Sequence, residues 1–475
     1  MTLARLVRRI LLIWTVLVTV VTPGAAPPPA AQPATLAPHQ RLLREIYQEL
    51  IEINTTNSVG DNTRAAEAMA RRLLAAGFPP ADVQVLAPAP RKGNLVARLR
   101  GGGARRALLL LAHIDVVEAN REDWSVDPFT LLERDGYFYG RGTSDDKAMA
   151  AVFVTNLIRF RQEGWVPDRD IILALTADEE GGGHNGVVWL LANHRPLIEA
   201  ELAINEGGGG AIKNGVYLSN NLQASEKIVQ NYRLEVTNPG GHSSLPIKDN
   251  AITHLAAGLA RLGEFDFPVR LDDVNRTFFE RTAAIVPGAL SDDMRAIAGG
   301  SRDSALVARI AAAGPVFNSR LRTTCVATRL EGGHANNALP QTARATVNCR
   351  VLPGESEDDV RRTLVGALAN DKITVTPTNR FFPSPASPLT PEVMRAVETV
   401  TAAMWSGVPV VPTMSTGATD SRYLRAAGIA AYGTSGLFGD IDDVRAHGRD
   451  ERLLARSLYE GQEYLYRLAK TLASP

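Results

Sequence analysis

The residues of this chain whose types could do chemistry fall in short segments, each following an apolar run. ALLLLAHID carries His113 and Asp115 two positions apart, so both project to one side of an extended strand. YGRGTSDDK carries Asp145 and Asp146, ILALTADEEGGG carries Asp178, Glu179 and Glu180, and LAINEGGGG carries Glu206. Far downstream, VRAHGRDE adds His447. Each segment alone is unremarkable, because a single His after a strand is usually a hydrogen-bonded structural residue and acids before glycines usually make a loop. Their convergence would be different: carboxylates gathered at one end of a sheet repel and are costly to desolvate unless a cation neutralises them. Hard oxygen donors with imidazole suit zinc, with cobalt or manganese as alternatives. The chain has two cysteines, too few for a thiolate zinc site of the usual kind, so a metal here must be held by His, Asp and Glu.

Such residues meet only if the intervening elements bring them together. Residues 94–99 and 107–112 read as strands, 147–160 as a helix, 170–176 as a buried strand and 187–192 as a helix. Two amphipathic helical patterns precede them, on Leu42, Leu43, Ile46 and Leu50, and on Ala66, Met69 and Leu73 before Gly77. This βα alternation predicts an α/β domain with a mostly parallel central sheet, whose ligand sites lie at the carboxyl ends of its strands. From 228 to 375 the rhythm changes to alternating strands (VQNYRLEVTN, VATRLEGG, ARATVNCRVL) and amphipathic helices (DNAITHLAAGLARL, EDDVRRTLVGALAN). An inserted α+β domain is therefore expected there, splitting the α/β domain into residues 36–227 and 376–475. Cys325 and Cys349 fall on segments expected to pair as antiparallel strands. One register brings them within disulfide range and a slip of one residue faces them apart, and two buried thiols are the favoured expectation.

The 475 residues carry 51 Lys plus Arg against 51 Asp plus Glu, so no basic field recruits nucleic acid, and none is expected as a partner. At this length two domains are the reasonable prior. Arg5, Arg8 and Arg9 precede an apolar run over 10–21, and a Pro/Ala stretch follows. The run is short for a bilayer and suits a secretory signal, so residues 1–35 are read as signal peptide and tether. Export, periplasmic or secreted, follows; retention of the segment would make it an N-terminal membrane anchor instead. Its removal leaves 48 basic against 51 acidic residues, a net charge of −3.

In order along the chain, AHIDVV, GRGTSDDK, TADEEGG, NEGG, GGHSSLP, GGHANNALP, NCRVLPGE and AHGRDE resemble the motifs of the zinc exopeptidases and amidohydrolases that include aminoacylase, glutamate carboxypeptidase and carboxypeptidase S. The carboxypeptidase S branch is the most similar. The resemblance spans nearly the whole mature chain. It implies two zinc ions, one held by His113, Asp145 and Glu206 and the other by Asp145, Glu180 and His447, with Asp145 bridging. It further implies that Glu179 is the general base for a metal-activated water, that Asp115 orients His113, and that the Asp145–Asp146 peptide is cis. The inserted domain would be a lid and a dimerisation surface, giving a homodimer. His242 would help stabilise the oxyanion, commonly in the partner subunit's site, while Asn337, Arg350 and Gly417 would hold substrate. The substrate implied is a small peptide or N-acyl amino acid cleaved next to its free carboxylate. An exported binding protein on a retired hydrolase scaffold is the other class of reading, one that would be expected to lack the base or a ligand.

Overall fold

In the computed structural model residues 36–474 are described, and the expected signal segment and tether lie outside the described residues. The chain divides after Ala37, and every element below belongs to the unit that begins at Pro38. Its frame is a ten-stranded mixed sheet. At the centre Ile171–Thr176, Leu108–His113, Leu202–Asn205 and Ala430–Gly433 lie side by side, each parallel to its neighbour. Both Leu108–His113 and Ile171–Thr176 are buried at every position, which is why their sequences are continuous apolar runs rather than alternating ones. Antiparallel strands extend the sheet on either side: Asn94–Leu99 and Val83–Leu86 beyond Ile171–Thr176, and Val216–Glu226 with Gly210–Lys213 beyond Ala430–Gly433.

Helices cover both faces. Lys147–Gln162 is buried at 13 of its 16 positions and packs against Leu108–His113, Pro38–Glu52 and Ala455–Leu472. Gly186–Asn193 and Ser421–Ala426 cover the other face, where Leu190 and Leu424 meet Leu109, Leu111 and Ala174 of the sheet. Each such Leu contributes about 1.5–3 kcal/mol by leaving water. This two-sided burial fixes the carboxyl ends of the central strands, where His113, Thr176 and Asn205 stand.

A second sheet, Thr324–Gly332, Thr342–Val351, Ile228–Thr237 and Thr374–Pro377, is antiparallel throughout. In Ile228–Thr237 buried positions alternate with partly or fully exposed ones, the two-residue period of a strand with one face on a core. That core joins Tyr232, Leu234 and Val347 to Leu255 and Leu364 of the covering helices Ala251–Glu264 and Glu357–Leu368. Residues 273–321, not resolved into elements by their sequence pattern, form four short helices. Their apolar residues, among them Phe279, Met294 and Ile310, cluster with Val411 of Val410–Ser415, a strand of the first sheet. The register of the second sheet sets Cys325 directly opposite Cys349, and the two form a disulfide with Cα atoms 4.0 Å apart. The expectation of two buried thiols is corrected accordingly: the strands pair in the phase that faces the sulfurs together. Among the described residues no helix is long and apolar enough to cross a membrane.

Candidate metal centre

His113 is the last residue of its strand and 2% exposed. Its Nδ1 lies 3.0 Å from the backbone carbonyl of Asp115, and a carbonyl can only accept, so Nδ1 carries the proton and Nε2 presents its lone pair. That Nε2 is 2.9 Å from Asp145 Oδ1 and 3.9 Å from Glu206 Oε2. A lone pair and a carboxylate approach this closely only across a proton or a cation. The Asp115 carboxylate, at 3.6 Å from Nδ1, does a second job: it accepts the backbone N–H of Glu179 at 3.1 Å and of Glu180 at 2.9 Å. Asp115 therefore ties the strand end bearing His113 to the loop bearing the two glutamates.

The Asp145 carboxylate lies between two imidazoles, because its Oδ2 is 3.2 Å from His447 Nε2. His447 also stands 3.0 Å from Glu180 Oε1. The five residues expected to hold metal are thus in one cluster. Glu179 joins it, with donor atoms of His113, Glu179 and Glu206 within 4.8 Å of one another, as are those of His113, Asp145 and Glu180. The Asp145–Asp146 peptide is cis, as the resemblance implies.

Charge is not balanced by neighbours here. Burial pushes Glu179 up to about 9, with Asp420 and Glu180 adding repulsion that His113 only partly offsets. Burial, then Asp145, raises Glu180 to about 7, and burial raises Glu206 well above the usual carboxylate range. Asp145 is the exception: burial opposes its ionisation, but the imidazoles of His113 and His447 beside it outweigh that and hold the carboxyl low. His447 is lifted to about 9, chiefly by its bond to Asp145. Acids that must hold protons to coexist will release them to a divalent cation, and the mixed imidazole and carboxylate donors fit zinc or a similar ion.

Three buried acids that hold the site together carry no role in the sequence reading. Glu451 is fully buried and accepts from the Arg141 guanidinium at 2.7 Å, from the backbone N–H groups of Gly142, Ser144 and Asp145, and from the Ser144 hydroxyl. It clamps the loop of Asp145 to the segment that bears His447. Asp178 takes a left-handed backbone (φ 59°) and is pinned by Lys92 Nζ at 2.5 Å and the His184 N–H. Asp420, 2% exposed, accepts from Asn185 at 2.6 Å and from Thr176. Glu451 and Asp178 lie within the motifs AHGRDE and TADEEGG and Asp420 within residues 415–424, but nothing in those segments marks a buried acid before the chain folds.

The lid residues divide into two groups. Arg350 is half-buried and donates to the Thr416 carbonyl at 3.2 Å, beside Gly417, whose N–H bonds Ser415 Oγ. His242, on the short strand Gly241–His242, and Asn337, in the turn before its partner Ala338–Leu339, are both exposed, with the Ser243 N–H on the Asn337 carbonyl and Ser244 Oγ 2.7 Å from His242 Nδ1. Among the described contacts, none joins that pair to the metal cluster.

A family model described as Peptidase family M20/M25/M40 matches residues 109–471. The chain is 31% identical over 355 residues to the N-fatty-acyl-amino acid synthase/hydrolase PM20D1 of Xenopus tropicalis, covering 73% of this chain and 68% of that protein. It is 27% identical to a probable carboxypeptidase S-like 2 of Dictyostelium discoideum, covering 77% and 71%. Among solved structures, an M20 family metallo-carboxypeptidase from Sulfolobus solfataricus superposes with a TM-score of 0.65 at 17% identity, covering 92% of this chain and all of that one.

Proposed function

The chain belongs to peptidase family M20/M25/M40, and from that premise we propose that it hydrolyses the amide bond next to a free carboxylate, in a small peptide or an N-acyl amino acid. It is an enzyme of a family of dinuclear metal-dependent peptidases and amidohydrolases. The observation that carries the finer reading is the Asp145 carboxylate held between the imidazoles of His113 and His447, with Glu180 and Glu206 alongside.

In this reading His113, Asp145 and Glu206 hold one zinc ion and Asp145, Glu180 and His447 the other. Bound there, the pair supplies Lewis acidity that brings the pKa of water towards 7 and polarises the scissile carbonyl. Glu179 takes the proton from the attacking water at a carboxylate oxygen and passes it to the nitrogen as the C–N bond breaks. Arg350, beside the Thr416–Gly417 loop, binds the substrate carboxylate through its planar fork of donors, with Asn337 and Gly417 completing the grip. His242 stabilises the oxyanion of a partner subunit's site; its exposure, with no described contact to the cluster of its own chain, supports this assignment. The edge strand Thr324–Gly332, with Val326 60% and Leu330 66% exposed, supports a homodimer through the second sheet. Export follows from the N-terminal pattern.

The test is metal content together with release of free amino acids from matched dipeptides and N-acyl amino acids. About two zinc ions per chain and product release abolished by a chelator are expected. Release that chelation leaves untouched would overturn the mechanism, and a loaded protein that cleaves nothing would favour a binding role.

A further inference from the structure

The chain passes twice between the first sheet and the inserted domain. It crosses once at Lys227, between Val216–Glu226 and Ile228–Thr237, and again over residues 378–390, between Thr374–Pro377 and the helix Pro391–Met404. A cavity of about 410 Å³ is lined by both crossings, with Ile228 and Val229 from the first, Arg380 and Phe382 from the second, and Arg422 and Tyr423 from the helix Ser421–Ala426. Its volume is at the modest end of small-molecule sites. No carboxylate lines it, whereas two guanidinium groups do.

Those two cations lack the partners that most arginines of this chain have. Arg380 is exposed, and among the described contacts its guanidinium makes no hydrogen bond or ion pair. Arg422 is half-buried; it donates to the Tyr423 hydroxyl, but its buried Nε has no acceptor, which is a costly state for a charged donor. The acids whose charge Arg422 feels are Asp420 and Glu226, and both are taken up by other donors. Asn185 and Thr176 hold Asp420, while Thr419 and, at 2.6 Å, Arg425 hold Glu226. Lys227 adds no free ammonium, because its Nζ is on the Arg322 carbonyl. Ser384, 3% exposed on the same wall, accepts from Arg425 and keeps its own hydroxyl proton to donate. Beside these donors the wall is apolar: Phe382 and Tyr423 meet edge to face with ring centroids 5.0 Å apart.

We propose that this cavity binds a small organic oxyanion, a carboxylate or phosphate ester whose head takes the donor forks of Arg380 and Arg422 and whose apolar body lies against Phe382 and Tyr423. Such a ligand touches both crossings and a helix of the first sheet at once, so it bridges the α/β domain and the inserted domain. None of the lining residues is a proposed metal ligand, base or substrate contact. The site therefore stands whether or not the chain cleaves amides.

The experiment titrates phenyl phosphate and benzoate into the full chain by calorimetry, zinc-loaded and again after chelation, with inorganic phosphate and benzyl alcohol as the head and the body alone. One phenyl phosphate or benzoate per chain is expected in both metal states, bound at least tenfold more tightly than either part alone, and the tighter of the two names the head group. Arg380→Glu reverses a charge at an exposed position where folding is not at stake, and Arg422→Gln removes the second fork. Each should weaken binding tenfold or more, as should raising salt from about 50 mM to 500 mM in the wild type. If Arg422→Gln does not fold, Arg380→Glu alone decides. No binding, binding lost with the metal, or binding that the variants keep would overturn the site, the second outcome assigning the anion to the metal cluster and the third to adventitious contact.

Discussion

Glu179, its backbone N–H held by Asp115, stands in the cluster beside the proposed ligands, and in the proposed mechanism it accepts and returns a proton rather than anchoring metal. Glu179→Gln keeps the shape and removes that capacity. Turnover should fall by about 10²–10⁴-fold while bound metal, measured by plasma mass spectrometry, stays at the wild-type level. Glu451 makes the opposite case. Its carboxylate takes four hydrogen bonds from Gly142, Ser144 and Asp145 besides the Arg141 pair, and so acts on the loop rather than on the reaction. Glu451→Gln should weaken retention of one ion by about 10–100-fold in a chelator competition, because the Asp145 loop and the His447 segment lose their common anchor. Unchanged retention would show that the loop holds its shape without the clamp. The His and carboxylate residues of the cluster were legible in the sequence because each ends an apolar strand or occupies a short motif. Glu451 and Asp420 were not, since a buried acid and a surface acid look alike until the chain folds around them.

At the scale of elements, the apolar runs declared the parallel sheet and the two-residue alternation declared the second one, because burial on two faces or on one writes directly into the pattern. Helices over 273–321 escaped because short segments packed on a neighbouring strand need no long periodic stripe. The disulfide escaped because register depends on pairing partners that a single sequence does not show. It predicts that the unfolded chain without reductant yields no thiol to a colorimetric reagent, and two per chain after reduction. Lys227 joins the two sheets, buried, with Nζ on the Arg322 carbonyl at 2.7 Å. Burial lowers it to about 7, against 10.5 when exposed. The sign follows: between those values the unfolded chain holds a proton that the folded one lacks, so the penalty is full below about 7 and fades as pH rises towards 10.5. The stability of wild type relative to Lys227→Met should increase from pH 7 to pH 9.5 in urea titrations, and a difference that does not move would refute the neutral lysine.

For the molecule as a whole, the exposure of His242, which among the described contacts has none with its own chain's metal cluster, carries the dimer proposal. Glu179→Gln and His242→Ala should each be inactive alone. Unfolded, mixed and refolded together, they should recover activity in about a quarter of the sites, because a hybrid dimer pairs one intact base with one intact lid histidine. Absence of recovery, with dimers seen by light scattering, would place His242 in its own subunit's site or in none. The likeness to family members was readable from motif order alone, and the same likeness supplied the expectation that His242 serves a partner subunit.

The clasp made by Glu451 also sets a schedule for maturation. A nascent polypeptide emerging from the ribosome displays residues 113, 145, 180 and 206 long before the segment bearing 447 and 451 has been synthesised. Until that segment docks, one imidazole is missing and the loop of Asp145 lacks its anchor, so ion capture becomes one of the final acts of folding, and a stalled or clipped intermediate remains catalytically silent.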